Sequence, residues 1–402
     1  MPGPLDGIRV VEVAQEIQGP YAAMHLADLG ADVIKVEAPM VGDLSRHMKI
    51  KLIAGEGAKN AEFSHYFLAM NRGKRSITLD LKHSGGKDVL WRLIERADVL
   101  VTNYRPGVFE RLGFGWDVLQ ARNPRLIFAQ GSSWGPRGPW KTRPSRDTLA
   151  QAVGGLMAKT GPDPGDPHAA GALVADHSGA LALLSGILAA LFARERMGKG
   201  QRVDVSIYGT VLALQPMELN FTSLSGIETP RAGRGHQFLH GVWGAFATKD
   251  GHVCLAGVDD KRWPDFCRVL GIEHLRDDPA HANVPRNYHG QATSDVLDEI
   301  FPTRTTADWM ERLNAIDVLA APVASYQEIL QSEQAATNGY LIEMDHPELG
   351  KIRVVGSPIG LSETPVTTST PPPELGQHTE QILLDAGFTW EEVEALRGNG
   401  AT

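Results

Sequence analysis

The sequence predicts an α/β protein: a large Rossmann-like domain, with a parallel sheet covered by helices on both faces, plus a smaller α+β domain. Three observations predict it. Near-continuous apolar runs alternate with helically spaced segments, the runs are of the kind buried on both faces of a sheet, and 402 residues exceed what one ordinary core accommodates.

The alternation starts at once. Residues 8–14 form an apolar run, 20–29 have helical spacing, and 31–36 form a second run. Gly19-Pro20 suits the helix start, since proline at the first helical position forfeits no useful hydrogen bond, and Gly30 suits its end. The pattern recurs as a strand over 76–81, an amphipathic helix over 86–97, and strands over 98–102 and 125–130. Proline and glycine then become frequent from 135 to 171, as in loops near a ligand site. A helix over 177–196 stops at Gly198-Lys199-Gly200, and 201–207 reads as a strand. A hairpin is expected over 242–256, turning at Lys249-Asp250-Gly251. Residues 259–324 suggest a small α+β unit, 364–373 a Pro/Thr linker, and 381–397 one helix.

Lys+Arg 39 against Asp+Glu 48 leaves a net charge of −9, which disfavours nucleic acid as the main partner. Hydrophobic residues at 42% exclude a wholly disordered chain. Two cysteines, Cys254 and Cys267, make no disulfide framework or zinc ribbon. With no signal-like start, and an apolar stretch over 179–193 shorter than the roughly 20 residues of a membrane span, a cytoplasmic protein with no membrane partner is expected.

Glu37 ends the second strand where a dinucleotide fold places its ribose-binding acid, but Gln15 to Pro20 hold no G-x-G-x-x-G, which disfavours a dehydrogenase. No phosphate loop, H-E-x-x-H pair or G-x-S-x-G elbow occurs. His236 and His240 are four apart, in a glycine-rich context that favours loop histidines, so no metal is expected.

Three segments sit where strands meet turns or helices: Asn71-Arg72-Gly73-Lys74-Arg75-Ser76, Asn103-Tyr104-Arg105-Pro106-Gly107 and Ala175-Asp176-His177-Ser178-Gly179. Lys74, Arg75, Arg105 and Arg111 form either a phosphate-binding lining or a solvated basic edge. Tyr104 suits a core or a stacking platform. Asp176 suits a helix cap and, because a helix N-terminus favours the ionised form, also a carboxylate nucleophile.

At these residues the chain resembles the class III CoA-transferases, the family that includes formyl-CoA and carnitine CoA-transferases and also the α-methylacyl-CoA racemases. The resemblance runs from Pro4-Leu-Asp-Gly-Ile-Arg-Val-Val-Glu12 through Leu29 to Glu37, Gly73 to Lys82, Asn103 to Gly107, Gly186 to Leu191 and Gly198 to Gln201, ending at Leu375 to Thr379. It implies a large domain made from both chain ends (1–220 and 330–402), a small domain from 221–329, and an interlocked homodimer. It also implies acyl-CoA and carboxylic acid substrates with no metal, and Asp176 as the nucleophile, forming a mixed anhydride and then an enzyme-CoA thioester. Coenzyme A is expected along Gln18, Leu79, Lys82, Asn103, Tyr104, Arg105 and Arg111.

Three departures bear on function. Ala38 stands where relatives often place an arginine, and Gly233-Arg234-Gly235 only loosely matches a four-glycine loop. Ser145-Arg146-Asp147 puts arginine where the racemases place a histidine base, and a guanidinium stays protonated. CoA transfer is therefore expected, with a dicarboxylyl-CoA such as succinyl-CoA as donor, because Arg146, Arg231 and Arg234 suit a second carboxylate. An acyl-CoA racemase or epimerase, and a non-catalytic CoA-binding subunit of a mixed dimer, are the alternatives.

Overall fold

The computed structural model describes residues 2–51, 62–236, 238, 242–278, 290–366 and 370–402. Six strands form its main sheet: β1 Arg9–Val13, β2 Asp32–Glu37, β3 Lys74–Thr78, β4 Val99–Thr102, β5 Ile127–Ser132 and β6 Arg202–Ser206. All neighbours are parallel, in the order β3-β2-β1-β4-β5-β6. This is the doubly wound order, in which connections run outward in opposite directions from β1 and β4 and leave a crevice at their carboxyl ends.

Alternation along the strands divides the core. Val10, Val33, Val99, Val101 and Ile127 pack with α1 (Gln18–Asp28) and with the 24-residue helix Val174–Met197. Val11, Val13, Ile34, Val36 and Phe128 face the opposite side, against the helix Ser84–Glu95. Each such aliphatic side chain, fully buried, contributes about 1.5–3 kcal/mol. The helix Val174–Met197 is longer than the sequence suggested, and by length and composition it could cross a membrane. Here Leu183, Leu184, Ile187 and Leu191 are buried against the sheet instead.

The single helix expected over 381–397 is two, Thr379–Asp385 and Trp390–Gly398. Gly387 adopts φ +89°, closing the first, and the Thr389 hydroxyl with Glu392 caps the second in a reciprocal box. Both helices pack against the sheet through Ile382, Leu383 and Val393, so the C-terminal end adds helices to this unit but none of the six strands.

The chain forms two compact units, Met1–Gly154 with Gly171–Leu214 and Ser332–Thr402, and Gly155–Ala170 with Gln215–Gln331. Residues 155–170 and 215–220, expected with the larger domain, belong to the smaller unit. That unit holds an antiparallel sheet of Trp243–Ala247, His252–Ala256 and Ala320–Pro322 around Phe246, Leu255, Phe266 and Trp309.

Candidate active site

A cavity of about 760 Å³ opens in the larger unit, lined from the loops that follow β1, β4 and β5 and from the start of the helix Val174–Met197. Its floor is locked by local bonding. Asn103 donates to the Gln15 carbonyl at 2.6 Å and accepts from the Gln15 N–H at 3.0 Å, tying the β1 and β4 loops together. The next residue, Glu16, has φ +62°, a costly conformation for a side chain of that size, and its N–H donates to Asp43 Oδ1 at 3.1 Å.

Asp43 belongs to a buried charge cluster beneath the cavity. Strand register sets Glu12 opposite Lys35, and Lys35 Nζ reaches Glu12 at 2.7 Å and Asp43 at 2.8 Å. Lys74 Nζ reaches the other Glu12 oxygen at 2.6 Å. Lys74 is therefore internal to the fold and not a cation of the surface. Arg75 is likewise paired, with Asp32 at 2.6 Å and Asp385 at 3.0 Å. Glu37, the residue placed like a ribose-binding acid, accepts from Arg46 at 2.8 Å and from the Ser76 hydroxyl at 2.7 Å, and is buried.

Asp176 lies in the first turn of its helix, not before it, and its side chain caps nothing. The capping carboxylate comes from elsewhere. Asp147, buried at the start of the helix Asp147–Val153, accepts from the backbone N–H of Ala175 at 2.8 Å and of Asp176 at 3.0 Å. The helix terminus is thereby occupied by a neighbouring anion. Among the described residues no hydrogen bond reaches the Asp176 carboxylate, which lines the cavity. Burial, then the Asp147 and Glu16 carboxylates, push its pKa up to about 7, with Arg146 opposing. The helix N-terminus was expected to favour ionisation; Asp147 takes that benefit.

Tyr66 lines the same cavity, and its phenol is raised above its ordinary range by burial first and then by Glu16 and Asp176, which keeps it a donor near neutrality. A half-buried, unpaired carboxylate poised near half ionisation, above the switch point of a doubly wound sheet, suits nucleophilic attack on an activated acyl group.

The pattern for CoA-transferase family III matches residues 5–379. The chain belongs to that family. This class III CoA-transferase is 34% identical to the formyl-CoA:oxalate CoA-transferase of Streptomyces coelicolor over 414 residues, covering 98% of each chain. It is 33% identical to the succinyl-CoA:glutarate CoA-transferase of Mus musculus, over 95% of this chain and 86% of that one. A crystal structure of a CAIB/BAIF family protein from Brucella suis superposes with TM-score 0.85 at 30% identity, covering 96% of this chain and all of the other.

Of the residues that the resemblance assigned to CoA, the transferase gathers Gln18, Asn103, Tyr104, Arg105 and Arg111 around the cavity with Asp176. Arg105 and Arg111 are exposed and have no acidic partner among the described residues. Tyr104 packs edge-on against Phe109 at 5.9 Å and also lines the cavity. Gln18 is buried, its amide donating to the Val205 carbonyl at 3.4 Å. A Cβ on Gly131 would come within 2.5 Å of that amide oxygen, so any larger residue there would have to displace the Gln18 side chain. Leu79 and Lys82 are not brought to this cavity: Leu79 is buried in the core and Lys82 is exposed on the loop after β3.

Of the arginines matched to a second carboxylate, two are engaged within the smaller unit. Arg231 donates to the carbonyls of Pro162 and Gly165, and Arg234 grips Asp298 through two bonds at 2.8 and 2.7 Å. His236 accepts or donates at Glu218, 2.7 Å away, while His240 lies outside the described residues. Among the described residues no group of acids, histidines and cysteines is arranged to hold a metal. Sequence reasoning missed Glu16, Tyr66 and the capping role of Asp147. Of these, only Asp147 carried a local signal, as an acid opening a short helix.

Proposed function

We propose that this transferase moves CoA from a dicarboxylyl-CoA donor, such as succinyl-CoA, to a carboxylic acid acceptor, with Asp176 as nucleophile. The observation that carries the reading is the Asp176 carboxylate, which faces the cavity and accepts no hydrogen bond among the described residues. An Asp176 oxygen attacks the thioester carbonyl, the C–S bond breaks, and CoA leaves as thiolate from an acyl-aspartyl anhydride. The thiolate then attacks Asp176 Cγ, freeing the donor acid and leaving an enzyme thioester. The acceptor carboxylate attacks that carbon in turn and releases the thiolate. The thiolate captures the acceptor acyl group, and the aspartate is restored. No net proton is consumed.

Arg105 and Arg111 suit the phosphates or the adenine face of CoA, which guanidinium groups pair with and stack on. The names of the two relatives, each pairing CoA transfer with oxalate or glutarate, support a dicarboxylate. An interlocked homodimer belongs to the same reading. It is supported by the apolar side chains that the helix Val174–Met197 leaves exposed, Leu181 and Phe192. Free Cys254 and Cys267 fit a reducing, cytoplasmic setting.

Mass spectrometry after incubation with succinyl-CoA tests the mechanism. A CoA thioester on the Asp176 peptide, removed by hydroxylamine, is the expected result; an Asp176→Ala protein that still transfers CoA overturns it. Deuterium entering the substrate α-carbon in heavy water would instead indicate a racemase.

A further inference from the structure

Among the cavity-lining cations, Arg146 alone contributes to the electrostatics of Asp176. Its backbone is fixed: the Arg146 carbonyl accepts from Leu149 N–H at 3.0 Å and Ala150 N–H at 3.2 Å, and the next residue, Asp147, grips the turn that carries Asp176. The guanidinium is held far more loosely. Its side chain is 77% exposed, and among the described residues its one ion-pair partner is the Glu16 carboxylate at 3.5 Å, beyond the 2.7–2.9 Å of a strong charge-assisted bond.

Glu16 is the opposite case. Its backbone is fixed in the left-handed region by Asp43, which is anchored by Lys35, so its carboxylate is presented from a rigid base at the cavity wall. Of the three arginines that line the cavity, Arg146 is thus the one that acts on Asp176, and its present partner is itself a carboxylate on a short stem.

Resting on the reading that Asp176 carries the acyl group, we propose that Arg146 is the specificity-determining residue of the acyl pocket. It takes the distal carboxylate of a dicarboxylic substrate, and Glu16 is the internal carboxylate that holds the guanidinium until substrate displaces it. The exchange replaces one loose ion pair by a bidentate one and asks movement only of the exposed side chain. Glu16 also opposes the incoming dianion, so it sets the affinity below what Arg146 alone would give.

The test compares kcat/KM for a dicarboxylic acceptor with that for the monocarboxylic acid of the same chain length, using the full-length protein. Arg146→Gln is expected to lower the diacid-to-monoacid ratio about tenfold, as loss of one charge-assisted contact does, and Arg146→Lys to lower it less. Glu16→Gln is expected to raise the ratio, because the guanidinium is released and one repelling charge is gone. An equal loss for both acids in Arg146→Gln, or a ratio unmoved by either substitution at Arg146 or Glu16, overturns the proposal. The CoA adduct at Asp176 is followed in the same variants: its presence with an unmoved ratio rejects the role of Arg146 alone, whereas its absence in the unsubstituted protein rejects the underlying mechanism.

Discussion

Two clusters of charged side chains lie against each other across Asp43 and are built on opposite principles. Below, Glu12, Asp43, Lys35 and Lys74 are buried and balanced, with contacts of 2.6–2.8 Å. Above, Glu16, Asp147 and Asp176 crowd one cavity, and the cation that acts on Asp176 is Arg146, 3.5 Å from Glu16. Burial acts on both, with different outcomes. It would raise the Asp43 carboxyl, but Lys35 beside it holds that group below its usual range. No cation does this for Asp176, and burial with two neighbouring acids carries it up to about 7. The lower cluster compensates its charges, and the upper leaves a carboxylate uncompensated, the state that the proposed nucleophile requires.

The sharpest way to break this comparison is to remove a charge from each cluster. Lys35→Met leaves Glu12 and Asp43 buried without their shared cation and should cost about 3–5 kcal/mol, read as a lowered midpoint in urea at constant slope. A loss below ~1 kcal/mol would show that the cluster is not what holds the β1 and β2 ends.

Asp176→Asn should do the reverse. The folded carboxyl titrates near 7 against an ordinary 3.8, so the folded state favours its protonated form. The stability associated with that form is intact below about pH 4 and lost as pH rises through 7. Asparagine does not titrate, so the variant should match the parent near pH 3–4 and exceed it by about 1–3 kcal/mol at pH 8, a figure reduced for solvent in the cavity. Thermal melts at both pH values check it, and a gain independent of pH would sink the argument.

The contrast between the clusters also explains what was legible in the sequence. Strand and helix alternation was, because apolar runs such as Val10 to Val13 and punctuation such as Gly30 act locally. The family motifs drew Asp176, Asn103 and Arg105 together although the first lies far along the chain from the other two. What failed was every assignment that depended on a distant partner. Lys74 and Arg75 fit neither a phosphate lining nor a solvated edge, because Glu12 and Asp32 pair with them. The capping half of the two roles that suit Asp176 falls to Asp147, 29 residues earlier, which no local rule connects to that helix. The broken C-terminal helix is different in kind: Thr389 and Glu392 spell a capping box that the apolar periodicity outweighed.

Asp147 joins the two designs, and its variants give the finest test. With Asp176 as nucleophile, kcat/KM should fall as pH drops below about 7, tenfold per unit, because only the ionised carboxylate attacks. Asp147 does two things to that group: its charge opposes ionisation, and its oxygen satisfies the N–H groups of Ala175 and Asp176. Asp147→Asn keeps an acceptor oxygen for those N–H groups and removes the charge, so the acid limb should move to lower pH, with a stability loss smaller than that of Asp147→Ala and arising where the new amide meets the Gln151 amide. Asp147→Ala removes both, so the limb should move the same way while the unfolding free energy drops by about 1–2 kcal/mol for the lost cap. The position of the limb, not the height of the plateau, is what decides. A limb that stays in place in both variants would mean that burial alone sets the Asp176 carboxyl and that the crowd of acids around it is incidental.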